Sequence, residues 1–132
     1  MDHESSDSEI LLSSTNKLLK LVRILSKPLM SIEELCRVSS SLFVAVFEAL
    51  FNMRVEKVNR KPKTKNDYIQ NAQLVVDHLS EQIQMNLKHI TGKAIVEGDK
   101  RALSNLVHIF MRIVSITRFV VTLTIRKATF RK

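Results

Sequence analysis

The side chains that could carry chemistry in this chain are four histidines and a single cysteine. The histidines are His3, His78, His89 and His108. No two of them have the i, i+4 spacing of a helical metal site, and one cysteine cannot complete a zinc site alone. Because free cysteines are usually buried, we expect Cys36 to be a small core residue. As the only thiol, it also excludes an internal disulfide and fits a reducing compartment. The sequence therefore predicts no metal ion.

Two glycines, Gly92 and Gly98, with Asp99 directly after the second, superficially suggest a phosphate-binding loop. The Walker pattern requires GxxxxGK[ST] after a strand, and an aspartate at this place would repel phosphate. The serines gather at predicted helix starts, where capping explains them. The carboxylates of Glu33 and Glu34 are adjacent and so point to different helix faces. We therefore predict that the protein is not an enzyme and needs no cofactor.

The basic residues are the more informative feature, since the formal net charge is +8. Such a balance favours an acidic partner, which could be nucleic acid, an anionic membrane or an acidic protein surface, although a merely solvated surface is the alternative. Residues 52–66 form the densest basic run, with six bases against one acid. A second group of bases, Lys93, Lys100 and Arg101, lies near the predicted connection at residues 91–99. The predicted contact residues are Lys57, Arg60, Lys61, Lys63, Lys65, Lys93, Lys100 and Arg101.

Several partner classes receive little support. Tyr68 is the only candidate for stacking on single-stranded nucleic acid, and no exposed recognition helix stands out, so nucleic acid is the least supported partner. No stretch approaches about 20 apolar residues, so we expect no membrane span. The acidic residues 1–9 are opposite in charge to the start of a secretory signal. We expect a cytosolic or nuclear protein.

The composition predicts a single all-α domain. A chain of 132 residues is long enough for one core, and 45% of the residues are hydrophobic. There are two glycines and two prolines. Because β-rich folds need many glycine-containing turns, so few helix breakers favour a compact helical bundle.

The first half of the chain predicts a tail and three helices. Residues 1–9 read as an acidic flexible tail, and Asp7 or Ser8 could cap a helix that starts near Ile10 and ends before Pro28. A capping box at Ser31 and Glu34 then predicts a short second helix. A further start signal at 39–41 precedes a strongly apolar helix, which we expect at the centre of the core. The apolar residues of that helix are Leu42, Phe43, Val46, Phe47, Leu50 and Phe51.

The second half predicts two longer helices. One starts at Asn66 or Asp67, and Gly92 is expected to stop it in a left-handed conformation. Its stripe is Ile69, Ala72, Val76, Leu79 and Ile83. Asp99 is expected to cap the last helix, which runs to about Arg118. Its stripe is Leu103, Leu106, Ile109 or Phe110, Ile113 and Ile116. Residues 119–132 form a basic tail that could continue the helix, pair as a strand or stay loose.

The stretch from His89 to Phe110 resembles the motif that opens the last core helix in calponin-homology-like domains of the NN-CH type, which occur in centrosomal and ciliary proteins. The matching residues are Ile90, Gly92, Ile95, Val96, Gly98, Asp99, Leu103, Asn105, Leu106, Ile109 and Phe110. The run from Ser41 to Leu50 resembles the second main helix of such domains. The likeness covers about residues 10–118, and residues 119–132 do not match it.

This resemblance implies a cytoskeletal module in the cytoplasm, at the centrosome, spindle pole or base of a cilium. It also implies a calponin-homology-like helical bundle for residues 10–118. Some domains of this kind bind microtubules through basic surfaces, and the acidic tails of tubulin would suit the basic run. Others dimerise or act as scaffolds for centrosomal proteins, so a homo-oligomer is compatible with the sequence.

Overall fold

The computed structural model describes the backbone of residues 2–24 and 27–130 and the side chains of residues 7–24 and 27–118. Within these ranges the chain forms five α-helices and no strand, which confirms the all-α prediction for the described residues. The helices are α1 Asp2–Val22, α2 Ile32–Phe51, α3 Lys65–Ile83, α4 Gly92–Val96 and α5 Lys100–Phe130. Of the described helices, none is both long and apolar enough to cross a membrane.

Helix α1 begins earlier than the sequence predicted. The backbone of residues 2–9, which we expected to be a flexible tail, is helical from Asp2, so Asp7 and Ser8 lie inside α1 instead of capping it. No glycine or proline interrupts this segment, and its acidic residues suit the positive end of the helix dipole. The local composition therefore supports a helix throughout.

The C-terminal end of α1 also differs from the prediction, because Pro28 does not set it. Arg23 takes a left-handed conformation with φ 58°, and its N–H donates to the Lys20 carbonyl at 3.3 Å. The N–H of Ile24 donates to the Leu19 carbonyl at 3.2 Å. This pair of bonds is a Schellman motif, which satisfies the last carbonyls of the helix before the proline is reached.

Helix α2 is one continuous helix where the sequence predicted two. One bond of the predicted capping box is present, since the Ser31 hydroxyl accepts from the Glu34 N–H at 3.1 Å, but the Glu34 carboxylate accepts from the Met30 N–H instead of the Ser31 N–H. The second start at residues 39–41 was wrong. There the Ser39 hydroxyl donates to the Cys36 carbonyl at 3.1 Å, so this serine is satisfied within the helix instead of capping a new one.

The core is built around α2, as its apolar character predicted. Phe43, Val46 and Phe47 are fully buried, and the ring of Phe43 stacks with that of Phe110 on α5 at 6.1 Å between centroids. Helix α1 packs on α5 and α2, while α3 and α4 pack on each other and on α2. The other largest buried side chains are Leu11, Leu18, Leu35, Leu79, Ile90, Ile95, Leu103 and Leu106.

Gly92 has a different role from the one its sequence context predicted. Helix α3 already ends at Ile83, where Gln84 takes the left-handed conformation with φ 54°. Gly92 is instead the buried first residue of α4, and a Cβ there would lie 2.6 Å from the backbone nitrogen of Gln73. The Gly92 N–H also donates to the Gln73 side-chain oxygen at 2.8 Å. Glycine is needed here because α4 and α3 approach each other closely.

Helix α5 starts as predicted and extends beyond Arg118. Gly98 turns the chain with φ 81°, and the Asp99 carboxylate accepts from the backbone N–H groups of Arg101 and Ala102 at 3.0 and 3.2 Å. The backbone is helical to Phe130, which corresponds to the helical alternative for the tail. The end of the predicted core stripe was wrong, because Ile116 is 60% exposed.

Candidate partner-binding surface

The basic loop, residues 52–64, connects α2 to α3, and its first half is anchored on α2. Val55 is 2% exposed although charged residues surround it in the sequence. Its N–H donates to the Glu48 carboxylate at 2.7 Å. Because one apolar side chain is buried and its backbone is bonded to a helix, this half of the loop has a defined position.

A buried asparagine on α3 holds the middle of the basic loop. The Asn71 side chain accepts from the Asn59 N–H at 2.9 Å and donates to the Asn59 carbonyl at 2.9 Å. The Asn59 side chain in turn accepts from the Lys61 N–H at 2.9 Å. Asn71 is only 3% exposed, so its amide satisfies both polar groups of one loop residue from within the core.

The end of the basic loop is fixed by a capping box that the sequence analysis missed. The Thr64 hydroxyl accepts from the Asp67 N–H at 3.1 Å, and the Asp67 carboxylate accepts from the N–H groups of Lys63 and Thr64 at 2.9 and 3.0 Å. These backbone donors lower the pKa of Asp67 below its usual range. Helix α3 consequently begins at Lys65, before the predicted Asn66 or Asp67.

Arg60, a predicted contact residue, is paired with an acid of α2. Its guanidinium donates to both carboxylate oxygens of Glu48 at 2.7 and 3.1 Å. Chiefly through this hydrogen bonding, the pKa of Glu48 falls and that of Arg60 rises. Glu48 thus binds both Arg60 and the Val55 N–H, so it positions the loop and neutralises one of its charges.

Lys65, the first residue of α3, forms an ion pair with Glu97, the residue that follows α4. The Lys65 ammonium lies 3.0 Å from the Glu97 carboxylate. Lys93 precedes Glu97 by one helical turn, and the Glu97 N–H donates to its carbonyl at 2.9 Å. The ion pair connects Lys65 to the end of α4, the helix that carries Lys93, although Lys65 and Glu97 are 32 residues apart in the sequence.

Lys100 and Arg101 begin α5, directly after the turn that contains Glu97. Burial raises the pKa of the Cys36 thiol, with a further rise from Glu33, and the charge of Lys100 opposes both. A Cβ on Gly98 would lie 2.9 Å from the Cys36 Sγ, so the turn before Lys100 lies near the start of α2, whereas Arg60 contacts Glu48 near its end. The twelve residues from Cys36 to Glu48 correspond to about 18 Å of helix. Glu97 precedes Lys100 by only three residues, so the Lys65–Glu97 ion pair lies in the same region as Lys100, and Arg60 is the predicted base placed toward the other end of α2.

Three lysines of the basic loop face solvent. They are Lys57, Lys61 and Lys63. Among the described residues, none of their ammonium groups has an ion pair with a carboxylate. The described residues also contain no group of three or more histidine, cysteine or acidic side chains that could hold a metal ion. We define the loop surface as these three lysines together with Lys65 and Lys93. It presents positive charge on a backbone that α2 and α3 hold in place.

A family model matches the part of the chain that contains this surface, and two curated relatives match part of the chain. Residues 55–113 match a family described as a domain of unknown function, DUF5745, a span just under half of the chain. The chain is 35% identical to the rat "Centrosomal protein of 95 kDa" over 72 residues and 34% identical to the mouse protein of the same name over 80 residues. These matches cover 54% and 60% of the chain but only 9% and 10% of the relatives. No solved structure matches, so the calponin-homology-like fold stays a prediction.

Proposed function

We propose that this chain is a non-catalytic module of a centrosomal protein, which binds microtubules or an acidic centrosomal partner through the loop surface. The observation that carries the proposal is the combination of an anchored loop with solvent-facing lysines. The similarity to the two centrosomal relatives supports the centrosomal part of the proposal. A calponin-homology-like bundle at the spindle pole or ciliary base belongs to the same proposal.

The basic loop presents its positive charge on an ordered backbone. A flexible basic tail must lose conformational freedom when it binds, whereas the basic loop is already ordered by Glu48, Asn71 and Asp67. Its free lysines can therefore meet an acidic segment, such as a tubulin tail, at a smaller entropic cost. Attraction between exposed charges is screened over about 8 Å at physiological ionic strength, so binding should weaken as salt is added.

Co-sedimentation with stabilised microtubules across a salt series tests this proposal. The variant is Lys57→Glu/Lys61→Glu/Lys63→Glu, because these three lysines can be reversed without breaking an ion pair of the fold. The matched control reverses three exposed lysines elsewhere, namely Lys17, Lys20 and Lys88. We expect the loop variant to stop pelleting, the control to pellet, and both to melt like the unchanged chain.

Microtubules from which the tubulin tails have been removed show whether the chain contacts the tails or the rest of the microtubule surface. Binding that needs the tails and falls with salt is the expected result. If the loop variant pellets as well as the unchanged chain, the loop surface is not the contact and the proposal fails.

A protein–protein scaffold is the second candidate function, and one observation favours it. A groove of about 430 Å³ lies between α1 and α5, with Leu11, Val107 and Met111 among its lining residues. Ile10 borders it and is 61% exposed. Sedimentation equilibrium of the unchanged chain and of Ile10→Ser distinguishes this candidate. A concentration-dependent dimer that the substitution abolishes would favour dimerisation, whereas a monomer at all concentrations would remove self-association from the candidates.

A further inference from the structure

One hydroxyl group lies in the middle of the basic loop's charge. Thr64 follows Arg60, Lys61 and Lys63 and precedes Lys65. It is exposed, and its backbone is extended, with φ −119° and ψ 161°. The residues from 59 to 66 are exposed too, except for half-buried Pro62, and the α3 helix begins only after Thr64. An enzyme can therefore reach this hydroxyl and the charges around it.

We propose that Thr64 is a phosphorylation site for a basic-directed protein kinase, and that phosphate there switches off the loop surface. Such kinases read basic residues near the acceptor through acidic clefts, and charge patterns of this type set kinase specificity. They also bind the acceptor residue in an extended backbone conformation, which Thr64 itself has. The regulatory half of this proposal rests on the proposed function, whereas the modification itself does not.

The phosphoryl donor is ATP, supplied with the kinase. The Thr64 Oγ1 attacks the γ-phosphorus, the bond from that phosphorus to the ADP oxygen breaks, and the hydroxyl proton passes to the kinase's base. The product carries a charge of about −1.5 to −2 at neutral pH. The Asp67 N–H, which now donates to Oγ1 at 3.1 Å, lies at the start of α3, where a negative group is favourable. The Asp67 carboxylate, which accepts from the Thr64 N–H at 3.0 Å, would repel this phosphate, so we expect modification to loosen the capping box while α3 stays folded through its packing on α2 and α4.

Structure, more than sequence, distinguishes Thr64 from other hydroxyl residues near bases. Ser104 follows Arg101 at the same spacing at which Thr64 follows Lys61, but it lies inside α5 and cannot become extended without unwinding that helix. Thr91 also has an extended backbone, but it sits between Ile90 and Gly92, which are both buried. We therefore expect the folded chain to be modified at Thr64 in preference to these two positions.

The expected effect on binding follows from the charge count. Lys57, Lys61 and Lys63, the loop lysines without an acidic partner among the described residues, carry a charge of +3, and one phosphate lowers this to about +1. Each exposed charge contact is worth up to about 1 kcal/mol, and tenfold in affinity corresponds to 1.4 kcal/mol. Neutralising two such contacts should weaken microtubule binding by about tenfold at low salt.

The first arm of the test incubates the folded chain with ATP and the catalytic domain of a basic-directed serine/threonine kinase, followed by site mapping by mass spectrometry. The control is Thr64→Asn, because asparagine caps a helix as well as threonine does but accepts no phosphate. We expect phosphate on Thr64 and a large loss of incorporation in the variant. Absence of phosphate on Thr64, or phosphate only on Thr91 or Ser104, would overturn the site.

The second arm compares microtubule pelleting of Thr64→Asp and Thr64→Asn, which both cap α3 and differ by one charge. Since aspartate carries about half the charge of phosphate, we expect Thr64→Asp to bind roughly threefold more weakly. Equal binding of the two would overturn the regulatory half of the proposal. If neither variant nor the unchanged chain pellets, the proposed function fails, while the mapped phosphate decides the modification site independently.

Discussion

Replacing Asn71 by alanine tests whether the basic loop is held by the core. The substitution removes both hydrogen bonds to Asn59 and leaves a small gap in a position that is 3% exposed. A typical internal hydrogen bond contributes about 1 kcal/mol net, so the two together predict a loss of about 2 kcal/mol in the free energy of unfolding. In a chain of this size that corresponds to a melting temperature lower by about 8 °C.

The assay combines urea unfolding with amide hydrogen exchange. Exchange should accelerate at the Asn59 and Lys61 N–H groups, because the first loses its acceptor on Asn71 and the second depends on the Asn59 side chain. The matched control is Asn66→Ala, an exposed asparagine on the same helix, for which we expect a change within about 0.5 kcal/mol.

Two outcomes would refute the reasoning behind this prediction. A loss of stability no larger than that of the Asn66 control would mean that water replaces the Asn71 amide at no cost. Unchanged exchange at Asn59 would mean that the basic loop is ordered without Asn71. Either outcome would contradict the proposal that Asn71 holds the loop surface in place for binding.

Two further predictions concern Glu48 and Gly92. Because hydrogen bonding by Arg60 depresses the folded-state pKa of Glu48, the stability from this pair is present above the unfolded pKa of about 4.3 and is lost as the pH falls through the lower folded value. Urea unfolding should therefore show that Glu48→Gln is about 0.5 kcal/mol less stable than the unchanged chain at pH 6. This difference in stability should shrink at pH 3. A difference that grows on acidification would contradict the Glu48–Arg60 pairing. Gly92→Ala should lower the free energy of unfolding by about 1–3 kcal/mol, because the added Cβ would overlap the backbone of α3 near Gln73. Thermal unfolding measures this loss, with Ser104→Ala as the control at an exposed helix position. Equal melting temperatures of the two variants would rule out the close contact between α3 and α4.

The features that sequence analysis predicted correctly are those decided by neighbouring residues. Ser31 caps α2 and Asp99 caps α5, since each side chain accepts from N–H groups two or three residues further on. Of the apolar residues predicted for the core on α2, Leu42, Phe43, Val46 and Phe47 are buried, whereas Leu50 and Phe51 at its end are half-buried. These signals need no knowledge of the rest of the fold.

The features that were missed depend on contacts between distant residues. Gly92 looked like a helix stop, but what it meets is the backbone of α3 almost twenty residues earlier. Asn71 anchors a residue twelve positions away. One signal for it was present in the sequence, since it directly precedes Ala72 of the core stripe and is a polar residue close to that apolar face. Its partner, Asn59, could not be identified without the coordinates.

The site itself was predicted as a density of charge, and the structure changes how that charge should be counted. Arg60 is neutralised by Glu48 and Lys65 is bound to Glu97, so two of the predicted bases already have acidic partners. The charge available to a partner therefore resides mainly in Lys57, Lys61 and Lys63. Because the salt dependence of binding to an acidic polymer reflects the number of charges neutralised, it should be set by these three lysines more than by the net charge of +8. The two paired bases contribute differently, by holding the loop in the shape in which the three lysines are presented.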